Sequence, residues 1–259
     1  MTEHTSGLLD GIEPELAQTL SRREIVTAQA MRLGTLATVP LLLAGCATTM
    51  ASTSSSLPGQ VVDVLNFALT LEYLEDDFYR TGLAQPALIP AGWQNTFRKI
   101  SQHESAHVAL LQSVLGGSAV AKPAFDFTAG GAFGDVFSNF ATFAAVAQAF
   151  EDTGVRAYKG QAGNLMVAPD ILTTALQIHS VEARHASQVR RIRGQEGWIT
   201  GSSRGNLPAA TQAVYEGEGL TTQAGVNVAS FVGAEDASAA FDEPLSKEQV
   251  LAIAGLFLA

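Results

Sequence analysis

Four stretches of the chain carry apolar residues at helical spacing. Segment A, about 59–80, aligns Val61, Leu65, Ala68, Leu69 and Tyr79 on one face. Segment B, about 91–115, aligns Phe97, Ile100, Val108, Leu111 and Leu115 and stops at Gly116-Gly117. Segment C, about 135–160, aligns Val136, Phe140, Phe143, Ala147 and Val155. Segment D, about 169–194, opens on Pro169-Asp170, aligns Ile171, Ala175, Ile178, Val189 and Ile192, and closes on Gly194. The A–B and C–D links are short, whereas 118–134 is a longer Gly-rich connection. This order predicts an all-α four-helix bundle with a long B–C crossover. Residues 195–244 show no assignable period, and no alternating strand pattern stands out. Ser246 followed by Gln249 predicts a capped short helix running to about 258.

The polar interruptions of these stripes carry the chemistry. Glu72 interrupts A, Glu104 and His107 interrupt B, Glu151 interrupts C, and Glu182 and His185 interrupt D. An ionised carboxylate on a buried face costs several kcal/mol unless it is paired or bound to metal. No regular Lys or Arg accompanies these positions. Glu104-x-x-His107 and Glu182-x-x-His185 are both i, i+3 pairs, so each pair points one way from its helix. Each pair can hold one ion, with a lone Glu from the other two helices bridging or flanking. Two divalent cations would neutralise the four carboxylates. Mixed oxygen and nitrogen donors suit iron or manganese, and zinc also satisfies them.

The halves repeat each other. Glu72 and Glu151 are 79 positions apart, as are Tyr79 and Tyr158, while Glu104–Glu182 and His107–His185 are each separated by 78. Segments A–B and C–D thus read as two copies of one helix pair.

The stretch NFALTLEYLEDDFYR, together with HESAH and HSVEARH, resembles the ferritin-like superfamily. It is similar to the exported group that includes desiccation-related proteins, over about 59–194. The resemblance implies two divalent metal ions, iron or manganese, held by Glu72, Glu104, His107, Glu151, Glu182 and His185. Glu104 and Glu182 would bridge, and Tyr79 and Tyr158 would stand near the metals as redox-active or supporting phenols. Glu75, one turn from Glu72, is a rival ligand, but the Glu-to-Tyr spacing favours Glu72. His103 and His179 are either partners that orient ligands or ordinary polar residues.

The N-terminal part reads as an address. Residues 33–45 form an apolar run of 13, short for a membrane span, with Arg22-Arg23 upstream and Leu43-Ala44-Gly45-Cys46 at its end. This pattern is similar to a twin-arginine signal followed by a lipobox. The expected organisation is a signal peptide at 1–45, a Ser/Thr-rich tether at 46–58, the bundle at 59–194, and an extension at 195–259. The expected location is the periplasm or outer envelope, with membrane attachment through lipid on Cys46.

Composition narrows the rest. The single cysteine excludes an internal disulfide framework, and a net charge of −10 excludes ready binding to nucleic acid phosphates. The function implied is a di-metal oxidoreductase using dioxygen or peroxide, oxidising ferrous iron or removing peroxide in envelope stress defence. The alternative is a non-enzymatic metal-binding stress or desiccation lipoprotein. The lipid anchor and the extension argue against a storage cage, so a monomer or small homo-oligomer is expected. Tyr215-Glu216-Gly217-Glu218 reads as an acidic loop.

Overall fold

The computed structural model describes residues 57–259. The export signal and Cys46 lie outside the described residues. Helices α1 (Gly59–Ala84), α2 (Ala91–Leu115), α3 (Phe140–Gln161) and α4 (Pro169–Ile192) form the bundle. α1 packs on α2 and α3 on α4 as hairpins, and the hairpins meet through α1–α3 and α2–α4 contacts. No helix among the described residues is long and apolar enough to cross a membrane.

Local chemistry sets the helix limits. α4 starts with Pro at its first turn and Asp170 beside its exposed amides. It ends on Gly194 at φ 72°, with Gln195 N bonded to Arg190 O and Gly194 N to Arg191 O. Those two bonds satisfy carbonyls that the last turn leaves open. α1 runs a turn beyond the expected 80, to Ala84, and at Gly82 the Phe143 ring fills the place a Cβ would take. α3 starts at Phe140, not near 135, because the Asn139 side chain caps Ala141 N at 3.0 Å. Val136 keeps the apolar spacing and is buried, yet it sits in the turns of the crossover.

α3 is buried almost all round, which a bundle of four helices alone does not achieve. The extension covers its outer side. Ala145, Ala149 and Ala157 pack with Ile199, Leu207, Val214, Tyr215, Leu245, Val250 and Ile253. The extension holds a two-stranded hairpin, β1 (Thr222–Gln223) and β2 (Val226–Asn227), which the strand pattern did not announce. Ala224 and Gly225 both take positive φ at its turn, the geometry that matches strand twist in tight hairpins. Two short helices, α5 (Ala229–Val232) and α6 (Ala234–Ala239), follow. The expected capping box is present: Ser246 accepts from Gln249 N and Gln249 returns a bond to Ser246 N. The helix it opens, α7 (Lys247–Ala254), ends earlier than 258 and passes into a 3-10 turn. The chain end then pairs with the crossover through Asp126 N to Phe257 O and Ala259 N to Ala124 O.

The acidic loop at 215–218 exposes Glu216 and Gly217 but buries Tyr215 and Glu218. Arg156 of α3 meets Glu218 at 2.6 Å and bonds the carbonyls of Val214, Glu216 and Glu243. Arg190 of α4 grips Asp152, which also accepts from Tyr215. The Arg156–Glu218 pair and the Tyr215–Asp152 bond fasten the extension to the bundle.

Candidate metal centre

The six polar residues that interrupt the stripes converge at mid-bundle. Glu72 comes from α1, Glu104 and His107 from α2, Glu151 from α3, Glu182 and His185 from α4. The four carboxylates are fully buried and both imidazoles nearly so. Their atoms form two overlapping groups, each drawn within 4.8 Å. One joins Glu72, Glu104, His107 and Glu182; the other joins Glu104, Glu151, Glu182 and His185. Glu104 and Glu182 belong to both, because each i, i+3 pair stands where the two hairpins face each other.

Apolar clusters seal the centre at both ends. An aromatic cluster including Phe78, Tyr79, Phe97, Phe143 and Phe150 closes one end. An aliphatic cluster including Leu65, Leu69, Leu111, Tyr158 and Ile178 closes the other. One tyrosine from each cluster turns its hydroxyl inward. Tyr79 donates to Glu151 and Tyr158 to Glu72, so each phenol supports the lone carboxylate of the opposite half.

The polar atoms converge and satisfy one another only in part. His107 Nδ1 lies 3.1 Å from Glu104, 3.2 Å from Glu72 and 3.3 Å from Glu182. His185 Nδ1 lies 3.0 Å from Glu104 and 3.3 Å from Glu151. Yet Glu104 Oε1, Glu151 Oε2, both Glu182 oxygens and His185 Nδ1 lack a hydrogen-bond partner among the described residues. Each buried orphan costs about 1–3 kcal/mol, and more when charged. Four carboxylates against two imidazoles leave more acceptors than the enclosed hydrogens can serve, and such a set suits a cation. The carboxylate and imidazole donors fit iron or manganese.

The proton equilibria show the same tension. Burial disfavours a charged His107, but the close carboxylates of Glu104, Glu182 and Glu72 outweigh it and its pKa is pushed up to about 12. His185 rises to about 11, where burial is outweighed by Glu151 and Glu104. Burial raises Glu72 to about 7 and drives Glu182 well above the carboxylate range. Glu104 falls to about 2, because the two imidazoles overcome its burial.

Three neighbours stood open in the sequence: Glu75 as a rival ligand, and His103 and His179 as orienting partners or ordinary polar residues. Glu75 is buried as well, at 3% exposure, but joins neither group. It lies over Gly154: a Cβ there would stand 3.4 Å from Glu75 Oε1 and 3.3 Å from Glu182 Oε2. Of the two rivals one turn apart, the groups include Glu72 and not Glu75. His103 orients a member of the site, with Nδ1 2.9 Å from His185 Nε2. His179 packs near Val155 and bonds none of the six.

A comparison with curated proteins gives no match. The family model described as a ferritin-like domain matches residues 60–195, the span of all four helices and both Glu-x-x-His pairs. The chain therefore belongs to the ferritin-like domain family.

Proposed function

We propose that this protein is an exported di-metal oxidoreductase that holds two iron or manganese ions and consumes peroxide or oxidises ferrous iron at the cell envelope. The observation that carries the reading is the pair of overlapping four-residue groups, in which four buried carboxylate oxygens and His185 Nδ1 lack a hydrogen-bond partner among the described residues. Glu72 and His107 would hold one ion, Glu151 and His185 the other, and Glu104 and Glu182 would bridge. When bound, two such ions supply a two-electron couple, enough to take one peroxide and two protons to two waters.

The chain's own groups do the rest. The tyrosine hydroxyls orient the two lone carboxylates. The aromatic and aliphatic clusters keep bulk water from both ends of the centre. The envelope location is read from the apolar run before Leu43-Ala44-Gly45-Cys46, with lipid on Cys46 as the attachment.

The test is elemental analysis of the protein isolated without added metal, followed by peroxide-consumption and ferrous-oxidation assays. Two ions per chain and turnover that vanishes in Glu104→Ala are expected. Metal that binds and turns nothing over would convert the protein into a metal-buffering stress protein. Clean apoprotein, unchanged by chelator, would overturn the reading.

A further inference from the structure

The six inward groups and the two tyrosines match between the halves, but two polar residues that touch them, Glu75 and His103, have no counterpart. The 79-residue offset that pairs Glu72 with Glu151 sets Glu75 against Gly154. The 78-residue offset that pairs His107 with His185 sets His103 against Val181. One exception lies where α1 meets α3, the other where α2 meets α4. Glu75 packs over Gly154, one turn beyond Glu151 on α3. His103 packs on His185, with the rings stacked at 5.1 Å and 13°.

The His103 contact has a defined chemical effect. His185 turns Nδ1 toward Glu104 and Glu151 and Nε2 toward His103. An imidazole that gives one nitrogen to a metal keeps its hydrogen on the other, and a fixed acceptor there sets both tautomer and ring angle. His103 Nδ1 is that acceptor at 2.9 Å. His107 also turns Nδ1 inward, but the repeat places Val181, which has no acceptor in its side chain, where His185 has His103.

We propose that the two metal positions are inequivalent, and that His103 is the positioning residue that makes the Glu151–His185 position the tighter one. This rests on the di-metal reading above. The metals then load in order, first at the position with the oriented imidazole and second at the position with the free one.

The experiment is stepwise addition of Mn²⁺ to the metal-free full chain, with free Mn²⁺ followed by electron paramagnetic resonance. The native protein should bind two ions with separable affinities. His103→Val, which copies the other half, should weaken one ion about 10–100-fold and leave the second unchanged. His103→Asn, which places an amide oxygen near the Nδ1 position, should restore most of the loss. His103 is exposed, so the helical circular dichroism of both variants should match the native protein. Two ions of equal affinity, a Val variant that weakens both alike, or no rescue by Asn would each overturn the inequivalence alone. A native protein that binds neither Mn²⁺ nor, in an anaerobic titration, Fe²⁺ would overturn the di-metal reading together with it.

Discussion

Tyr158 reaches across the bundle from α3 and donates its hydroxyl hydrogen to Glu72 on α1. Tyr79 mirrors it on Glu151. The phenols are held in the apolar clusters that close the two ends, so the packing of each end fixes a carboxylate at the centre. Removing either hydroxyl leaves a buried carboxylate oxygen without its donor. Tyr79→Phe and Tyr158→Phe should each destabilise the metal-free protein by about 1–3 kcal/mol. At about 2–4 °C per kcal/mol for a domain of this size, thermal melts in chelator resolve the change. Bound metal should persist in both variants. Its complete loss would make the phenols ligands and not supports.

Metal uptake should depend steeply on pH. In the metal-free centre His107 and His185 keep protons up to about 12 and 11, held by the surrounding carboxylates. A coordinating nitrogen cannot keep that proton. The free form therefore binds more protons than the loaded form, and affinity must rise with pH. At neutral pH each imidazole gives up one proton, and the carboxylates raised by burial release more. Calorimetry in two buffers of different ionisation enthalpy should report at least two protons released per pair of ions. Affinity that is flat between pH 6 and 8 would show that the imidazoles do not ligate.

Gly154 leaves the space that Glu75 and Glu182 share. A Cβ would come within 3.3 Å and 3.4 Å of their oxygens, closer than ordinary contact. Gly154→Ala gains about 1 kcal/mol of intrinsic helix propensity in the same step. The metal-free protein should therefore keep or gain thermal stability while metal affinity falls about tenfold. Unchanged affinity would mean that both carboxylates move aside freely.

The extension should be needed for a stable bundle. Arg156→Leu strands the buried Glu218 carboxylate and three carbonyls, and should cost about 3–5 kcal/mol. Limited proteolysis should then cut within 195–245 before it cuts the bundle. The double variant Arg156→Leu with Glu218→Leu should recover part of the loss, because no unpaired charge remains. Gly160→Ala meets backbone, with the Leu245 carbonyl oxygen 2.0 Å from the new Cβ, and should release the same segment. Native resistance to protease in both single variants would show that the extension is held by other contacts.

The long helices and their polar interruptions were legible because both are local periodic signals. A helix fixes which residues share its face, so Glu104 with His107 and Glu182 with His185 could be read as facing pairs. The repeat added which helices correspond. The terminal capping box was legible for the same reason, since it closes within four residues. The start of α3 was not, because Val136 keeps a helical spacing while Asn139 caps the helix later. Nor was the hairpin at 222–227, whose strands are too short to show alternation.

The sequence by itself determined the four helices, the two matched pairs and the chemistry of the six inward groups, since spacing along one helix needs no knowledge of its neighbours. Tertiary structure decided that Glu104 and Glu182 are common to both groups, that Glu75 is buried beside them and that His103 leans on His185. It also decided that 195–259 wraps α3. These depend on how far each hairpin is rotated toward the other, a quantity set by packing between residues distant in the chain and carried by no local period.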